Sequence, residues 1–184
     1  MDNEITLPDA NQLYTIIGGR SAAARLLDMA ARMALQGPLL LLDCGNRANP
    51  LPIVRELRRL SDDPIGALAN ITAARAFTCY QVDILLEQFE QRAPLQQPVI
   101  IFDLLACFYD ESVNFREGLR LLRHSLDCLA RVRSNAPLLV SARPPLAALQ
   151  ERQVFLEMLL ALSDRYWIEE APPPPVQRQL TFFS

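Results

Sequence analysis

Short continuous apolar runs alternate along most of the chain with segments of helical periodicity. The first run, residues 14–17, stops at Gly18-Gly19, and a glycine pair ends a strand in a turn. Ser21 stands where it can cap the helix that follows. In that helix Leu26, Leu27, Ala30, Met33 and Ala34 recur at the spacing that gathers side chains on one face. Residues 38–42 predict a second strand, ending at Asp43. Residues 51–60 predict a short amphipathic helix with Arg55, Arg58 and Arg59 outward, and residues 70–77 a strand. Residues 80–92 predict a helix that turns Val82, Leu85, Leu86 and Phe89 inward. Residues 98–103 are another apolar strand closing on an acid, Asp103. A long helix over about 114–134, a strand at 137–140, a helix over 146–163 and a last strand at 165–169 complete the pattern.

Apolar strands without polar alternation, separated by helices, predict a parallel sheet covered on both faces. Right-handed crossovers make it a doubly wound α/β sheet. The core is assigned to residues 14–170, after an N-terminal arm at 1–13. Ala171 and four prolines at 172–175 form a hinge before residues 176–184, since a proline run is stiff and extended. Ligands of doubly wound sheets sit at the carboxyl ends of the strands, where Gly18, Asp43, Asp103 and Ser141 fall.

At 184 residues the chain is long enough for one domain with a substantial core. It has no run of 18 apolar residues, and its acidic start, Met1-Asp2-Asn3-Glu4, lacks a leader pattern. The expected compartment is the cytoplasm. Cys44, Cys79, Cys107 and Cys128 are widely spaced and there is one histidine, His124. Reduced, buried thiols are expected rather than a metal site, and His124 is expected at a surface or boundary rather than as a catalytic base. The net charge of −3 gives no general pull toward nucleic acid, so DNA binding would need a local arginine patch. All 18 basic residues are arginine.

That absence of lysine bears on residues 14–43, whose strand, glycine turn, helix and strand are the frame of a phosphate-binding loop. Laid on G-x-x-x-x-G-K-[ST] from Gly18, with Gly19 next, the second glycine falls on Ala23, the lysine on Ala24 and the hydroxyl residue on Arg25. Further segments follow in order: Leu41-Leu42-Asp43-Cys44-Gly45, Asn70-Ile71 through Arg75-Ala76-Phe77, Val99-Ile100-Ile101-Phe102-Asp103, and Pro137-Leu138-Leu139-Val140-Ser141. Together they resemble the ATPase core of the RecA/RadA recombinase family. The matching family segments are the P-loop, the I-D-T-E-G strand, the N-I-x-x-A-R-A-F strand, the Walker B strand and the strand ending in T-N-Q. The resemblance implies a RecA-like P-loop fold over about residues 14–169.

The departures define the functional expectation. The family's catalytic glutamate corresponds to Gly45, and the asparagine and glutamine of T-N-Q to Ala142 and Arg143. Asp103 alone persists from the metal-binding set, without a P-loop lysine or hydroxyl to work with. Its structural alternative is a strand-end acid that caps backbone groups. The resemblance therefore implies a non-catalytic paralogue, neither an ATPase nor a protein with a bound cofactor or metal. It would assist DNA repair or recombination through protein contacts. The alternative is a nucleotide-binding regulator, with an anion held by the Gly18-Gly19 amides at a helix start.

Two surfaces are candidates for the contacts. Arg116, Arg120 and Arg123 lie on one face of a helix, with Arg131 two turns on. They read either as a grip on a DNA backbone or as a solvated helix face, which Asp110, Glu111 and Glu117 favour. Gln179, Leu180, Phe182 and Phe183 resemble the Q-L-[SD]-L-F peptide that bacterial DNA-maintenance proteins insert into the sliding clamp. Residues 176–183 also alternate enough to be the second strand of the hairpin with which RecA-type cores often finish. Expected partners are a recombinase-like subunit, a repair polymerase or the sliding clamp. Arg20 and Arg25 on the former nucleotide face are candidates to contact a partner, or to reach its nucleotide as arginine fingers do.

Overall fold

Each predicted apolar run becomes a strand of one parallel sheet. The computed structural model describes residues 8–46, 48–92 and 97–169. The strands are β1 (Leu13–Ile17), β2 (Leu39–Asp43), β3 (Ile71–Arg75), β4 (Val99–Phe102), β5 (Leu138–Ala142) and β6 (Arg165–Ile168). Between them run helices α1 (Arg20–Ala34), α2 (Pro50–Leu60), α3 (Pro64–Ala69), α4 (Cys79–Arg92), α5 (Phe115–Arg133) and α6 (Gln153–Leu162). The strand order is β3-β2-β4-β5-β1-β6, with every pairing parallel. β1 and β2, neighbours in sequence, are thus separated by β5 and β4.

The side chains of each strand divide between two cores. Leu13, Ile17, Leu42, Val99, Ile101, Leu138 and Val140 pack with α4, α5 and α6 on one face. Tyr14, Ile16, Leu39, Leu41, Ile100, Phe102 and Leu139 pack with α1, α2 and α3 on the other. Connections that run toward the β3 edge therefore lie on one face, and those that run back lie on the opposite face. A single crossover hand demands this arrangement, and the sheet is wound in both directions from β1.

Burial follows position in the sheet. β1, β4 and β5 are buried throughout, whereas the edge strands β3 and β6 expose most of their residues. In α1, Leu26, Leu27, Ala30, Met33 and Ala34 are all buried, as their spacing predicts. Arg55, Arg58 and Arg59 of α2 are exposed as predicted. Among the described residues no helix is long and apolar enough to cross a membrane.

Three local expectations are corrected. Ser21 does not cap α1: the helix starts at Arg20, Gly19 is the capping position, and no side chain caps it. The stretch 146–163 is not one helix but a 3₁₀ segment, Ala147–Arg152, followed by α6, with Leu149 off helical geometry between them. The helix α3 was not predicted. Pro64 opens it and the Asp63 carboxylate accepts from the Gly66 amide at 2.9 Å, a start signal hidden in a six-residue element.

Phe155 of α6 is fully buried and stacks on Phe115 and Tyr109, with ring centroids 5.4 and 6.4 Å apart. Phe155→Ala is expected to lower unfolding free energy by about 3–5 kcal/mol, read by urea denaturation; a change under about 1 kcal/mol would contradict this packing.

Candidate functional site

The carboxyl ends of the strands form a continuous bonded ridge. The Gly18 amide donates to Ala142 O at 2.9 Å, the Cys44 amide to Phe102 O at 2.9 Å, and the Glu169 amide to Ile17 O at 2.7 Å. The strand insertion places β5 between β1 and β4, so residues 141–143 separate Gly18 from Asp103. Gly18 is required for close approach: a Cβ there would lie 2.9 Å from Glu169 Cβ and 3.3 Å from Ala22 Cβ.

The turn between β1 and α1 holds only Gly18 and Gly19. Arg20, Ser21, Ala22, Ala23, Ala24 and Arg25 are all in the first two turns of α1, where a phosphate-cradling loop needs open backbone. The first intrahelical bond, from the Ala23 amide to Gly19 O, is already made. Ala23 is buried, Ala24 exposed, and Arg25 lies half-buried with its Nε 2.6 Å from Glu169 Oε1. The strand–turn–helix order is present, and the residues aligned with the second glycine, lysine and hydroxyl are helical, Ala23 turned into the core and Ala24 and Arg25 outward.

Asp103 is only 3% exposed and holds φ = 52° in the left-handed region, which among non-glycine residues asparagine and aspartate enter most readily. Its backbone is tied on both sides. Its amide donates to Ser141 Oγ at 2.9 Å, its carbonyl accepts from the Ala106 amide, and the Leu104 amide donates to Ser141 O. Arg143 Nε lies 2.7 Å from Asp103 Oδ2. The Tyr109 hydroxyl donates to Arg143 O at 3.1 Å and helps set the arginine in place. Burial pushes the Tyr109 phenol up, with the Asp103 charge adding to it.

Gly45 is packed against the same carboxylate. A Cβ at 45 would meet Asp103 Cβ at 2.5 Å and Oδ2 at 2.6 Å, so the position is closed to any side chain while Asp103 stays where it is. The next residue, Asn46, takes φ = 54°.

Asp43, 1% exposed, organises the loop after β2. It accepts from the Gly45 amide at 3.3 Å and the Ala48 amide at 3.2 Å, and Arg75 Nε donates to it at 2.9 Å. Arg75 also donates to Ala48 O. Arg25–Glu169, Arg143–Asp103 and Arg75–Asp43 thus form three ion pairs along one edge, each joining separate elements.

Arg152 was missed by sequence reasoning, because an arginine in a helical pattern reads as solvent-facing. It is buried and donates to the carbonyls of Phe108, Asp110 and Val113, which fixes the loop between Asp103 and α5. No spacing in the sequence signals it.

The other candidates are dispersed. Arg116, Arg120, Arg123 and Arg131 are exposed on α5. Arg120 is held by Glu117 through two bonds of 2.9 and 2.7 Å, and Arg131 by Glu90 on α4. His124 is exposed and bridges to Asp83 of α4 at 2.8 Å. Gln179, Leu180, Phe182 and Phe183 lie outside the described residues. All four cysteines are free and buried, and Cys107 Sγ donates to Cys44 O at 2.9 Å. Among the described residues no group of three or more His, Cys, Asp or Glu is placed to hold a metal ion. No protein-family model matches the chain, and no curated protein matches it.

Burial raises every thiol: Cys44 well above its ordinary value, Cys79 above it, and Cys107 and Cys128 to about 11. A raised pKa leaves less thiolate, the reactive form, at any lower pH. For Cys107 and Cys128 the thiolate fraction at pH 8 falls roughly a hundredfold. Iodoacetamide at pH 8 is expected to label all four cysteines in urea and none in the native chain over the same interval, read by intact mass. Rapid native labelling at any of the four would contradict their burial.

Proposed function

We propose that this chain is a non-catalytic RecA-like accessory protein in DNA repair or recombination, acting through protein contacts. The observation that carries the reading is the pairing of Arg143 with Asp103, 2.7 Å apart. Under the resemblance, Asp103 is the Walker B acid and Arg143 stands at the glutamine of T-N-Q. A magnesium ion bridging phosphates would need that carboxylate, and here an internal cation occupies it. Gly45, at the glutamate position, has no room for a side chain beside Asp103. Two further features favour the resemblance itself. The segments likened to the P-loop, Walker B and T-N-Q motifs end side by side, and Asn46, at the final glycine of I-D-T-E-G, adopts φ = 54°, a conformation glycine takes without strain.

The former nucleotide face then serves as a surface. Arg25 is engaged by Glu169, so Arg20, exposed at the start of α1, is the better candidate to reach a partner. Partners consistent with this reading are a recombinase-like subunit or a repair polymerase, with the sliding clamp taking Gln179, Leu180, Phe182 and Phe183. A role of Arg116 and Arg123 in binding DNA belongs to the same proposal.

The second reading, a nucleotide-binding regulator, draws on the uncapped N-terminus of α1, which has no acid in its first turn and so presents amides to an anion. Calorimetry separates the two. The leading reading predicts no heat of binding with ATP or ADP at millimolar concentration, with or without magnesium. Saturable magnesium-dependent binding would overturn it in favour of the regulator. Affinity capture with the full chain is expected to recover a recombinase-like protein, a repair polymerase or the clamp; recovery of none of these would count against the assignment to repair.

A further inference from the structure

Helix α6 is apolar nearly all round: only Gln153 and Glu157 in Gln153–Leu162 are polar. Such a helix is ordinarily covered on every side. Here Phe155, Leu156 and Leu159 are buried, but Val154, Met158, Leu160 and Leu162 are only partly covered and Ala161 is exposed. Beside it lies an open groove of about 370 Å³ between α5 and α6, lined by Leu126, Ala130, Met158, Ala161 and Leu162 together with one charge of each sign, Arg123 and Asp127.

We propose that this groove receives Leu180, Phe182 and Phe183 of the same chain, and so withholds the docking peptide from its partner. The inference rests on the docking-peptide reading above. Reach favours it. β6 carries the chain from Asp164 to Glu169, five steps of about 3.3 Å, so Glu169 stands roughly 17 Å from the Leu162 end of α6. Residues 170–179 lie between Glu169 and Leu180, and ten residues span about 31 Å even at the rise of a proline helix. A tether of this length holds the peptide at an effective concentration on the order of millimolar. An intrinsic groove affinity of only about 0.1 mM would then keep roughly nine chains in ten closed.

The test is photo-crosslinking in the full chain with benzoylphenylalanine in place of Phe182. The expected product is an intramolecular cross-link to residues 126–130 or 158–162. Ala161→Glu, a change at an exposed position, is expected to abolish the cross-link and to tighten binding to the sliding clamp about tenfold. Cross-links that map elsewhere, that join two copies, or that persist in Ala161→Glu overturn the inference. Clamp binding that is equal in both chains, without a groove cross-link, also overturns it and leaves the docking-peptide reading intact. A chain that binds no clamp with either residue at 161 overturns that reading instead.

Discussion

Two carboxylates, Asp43 and Asp103, are almost wholly removed from water at the ends of β2 and β4, and the architecture of the functional edge follows from how their charge is met. Burying an ionised carboxylate without positive charge and hydrogen bonds costs several kcal/mol. In a P-loop enzyme a magnesium ion and its ligands supply that charge. In this chain arginines supply it, from β3 for Asp43 and from the end of β5 for Asp103. Both arginine side chains remain about two-fifths exposed, so each guanidinium stays partly hydrated while its partner is shielded.

The remaining features are arranged around these pairs. Asp103 sits in a left-handed conformation because Ser141 takes its amide and Gly45 leaves room for its carboxylate. Tyr109 and Arg152 fix the following loop through backbone carbonyls. On the β1 side, Arg25 and Glu169 close the start of α1 against the end of β6. Arginine is suited to this work. It keeps its charge when partly buried, whereas a buried lysine shifts its pKa. In the reading proposed here, the edge that once held a nucleotide is held together by the protein's own charges, and its outward surface is left for partners.

Much of the fold was legible in the sequence. The strand cores and the two-sided burial follow from continuous apolar runs such as 98–103 and 38–42, and the inward faces of α1 and α4 from their periodicity. Edge exposure was not legible, because Ile71-Thr72-Ala73-Ala74 reads much like a central strand and only the strand order puts it at the rim. Ser21 misled because a good capping residue inside the first turn cannot be told from one before it. At the site, Gly18, Asp43 and Asp103 were found because strand ends in a doubly wound sheet collect ligands. The ion pairs were not found, since Arg25–Glu169 and Arg75–Asp43 join residues 144 and 32 positions apart. Arg143–Asp103 likewise depends on the insertion of β5 beside β4.

That Arg143 neutralises the buried Asp103 carboxylate is the claim on which the rest depends. A double-mutant cycle with Arg143→Gln, Asp103→Asn and the pair, read by urea denaturation, tests it most directly. The account predicts that each single change destabilises the fold, with a coupling energy of about 1–3 kcal/mol between the two positions. Coupling within about 0.3 kcal/mol of zero would contradict it, because Asp103 would then be stabilised without its arginine.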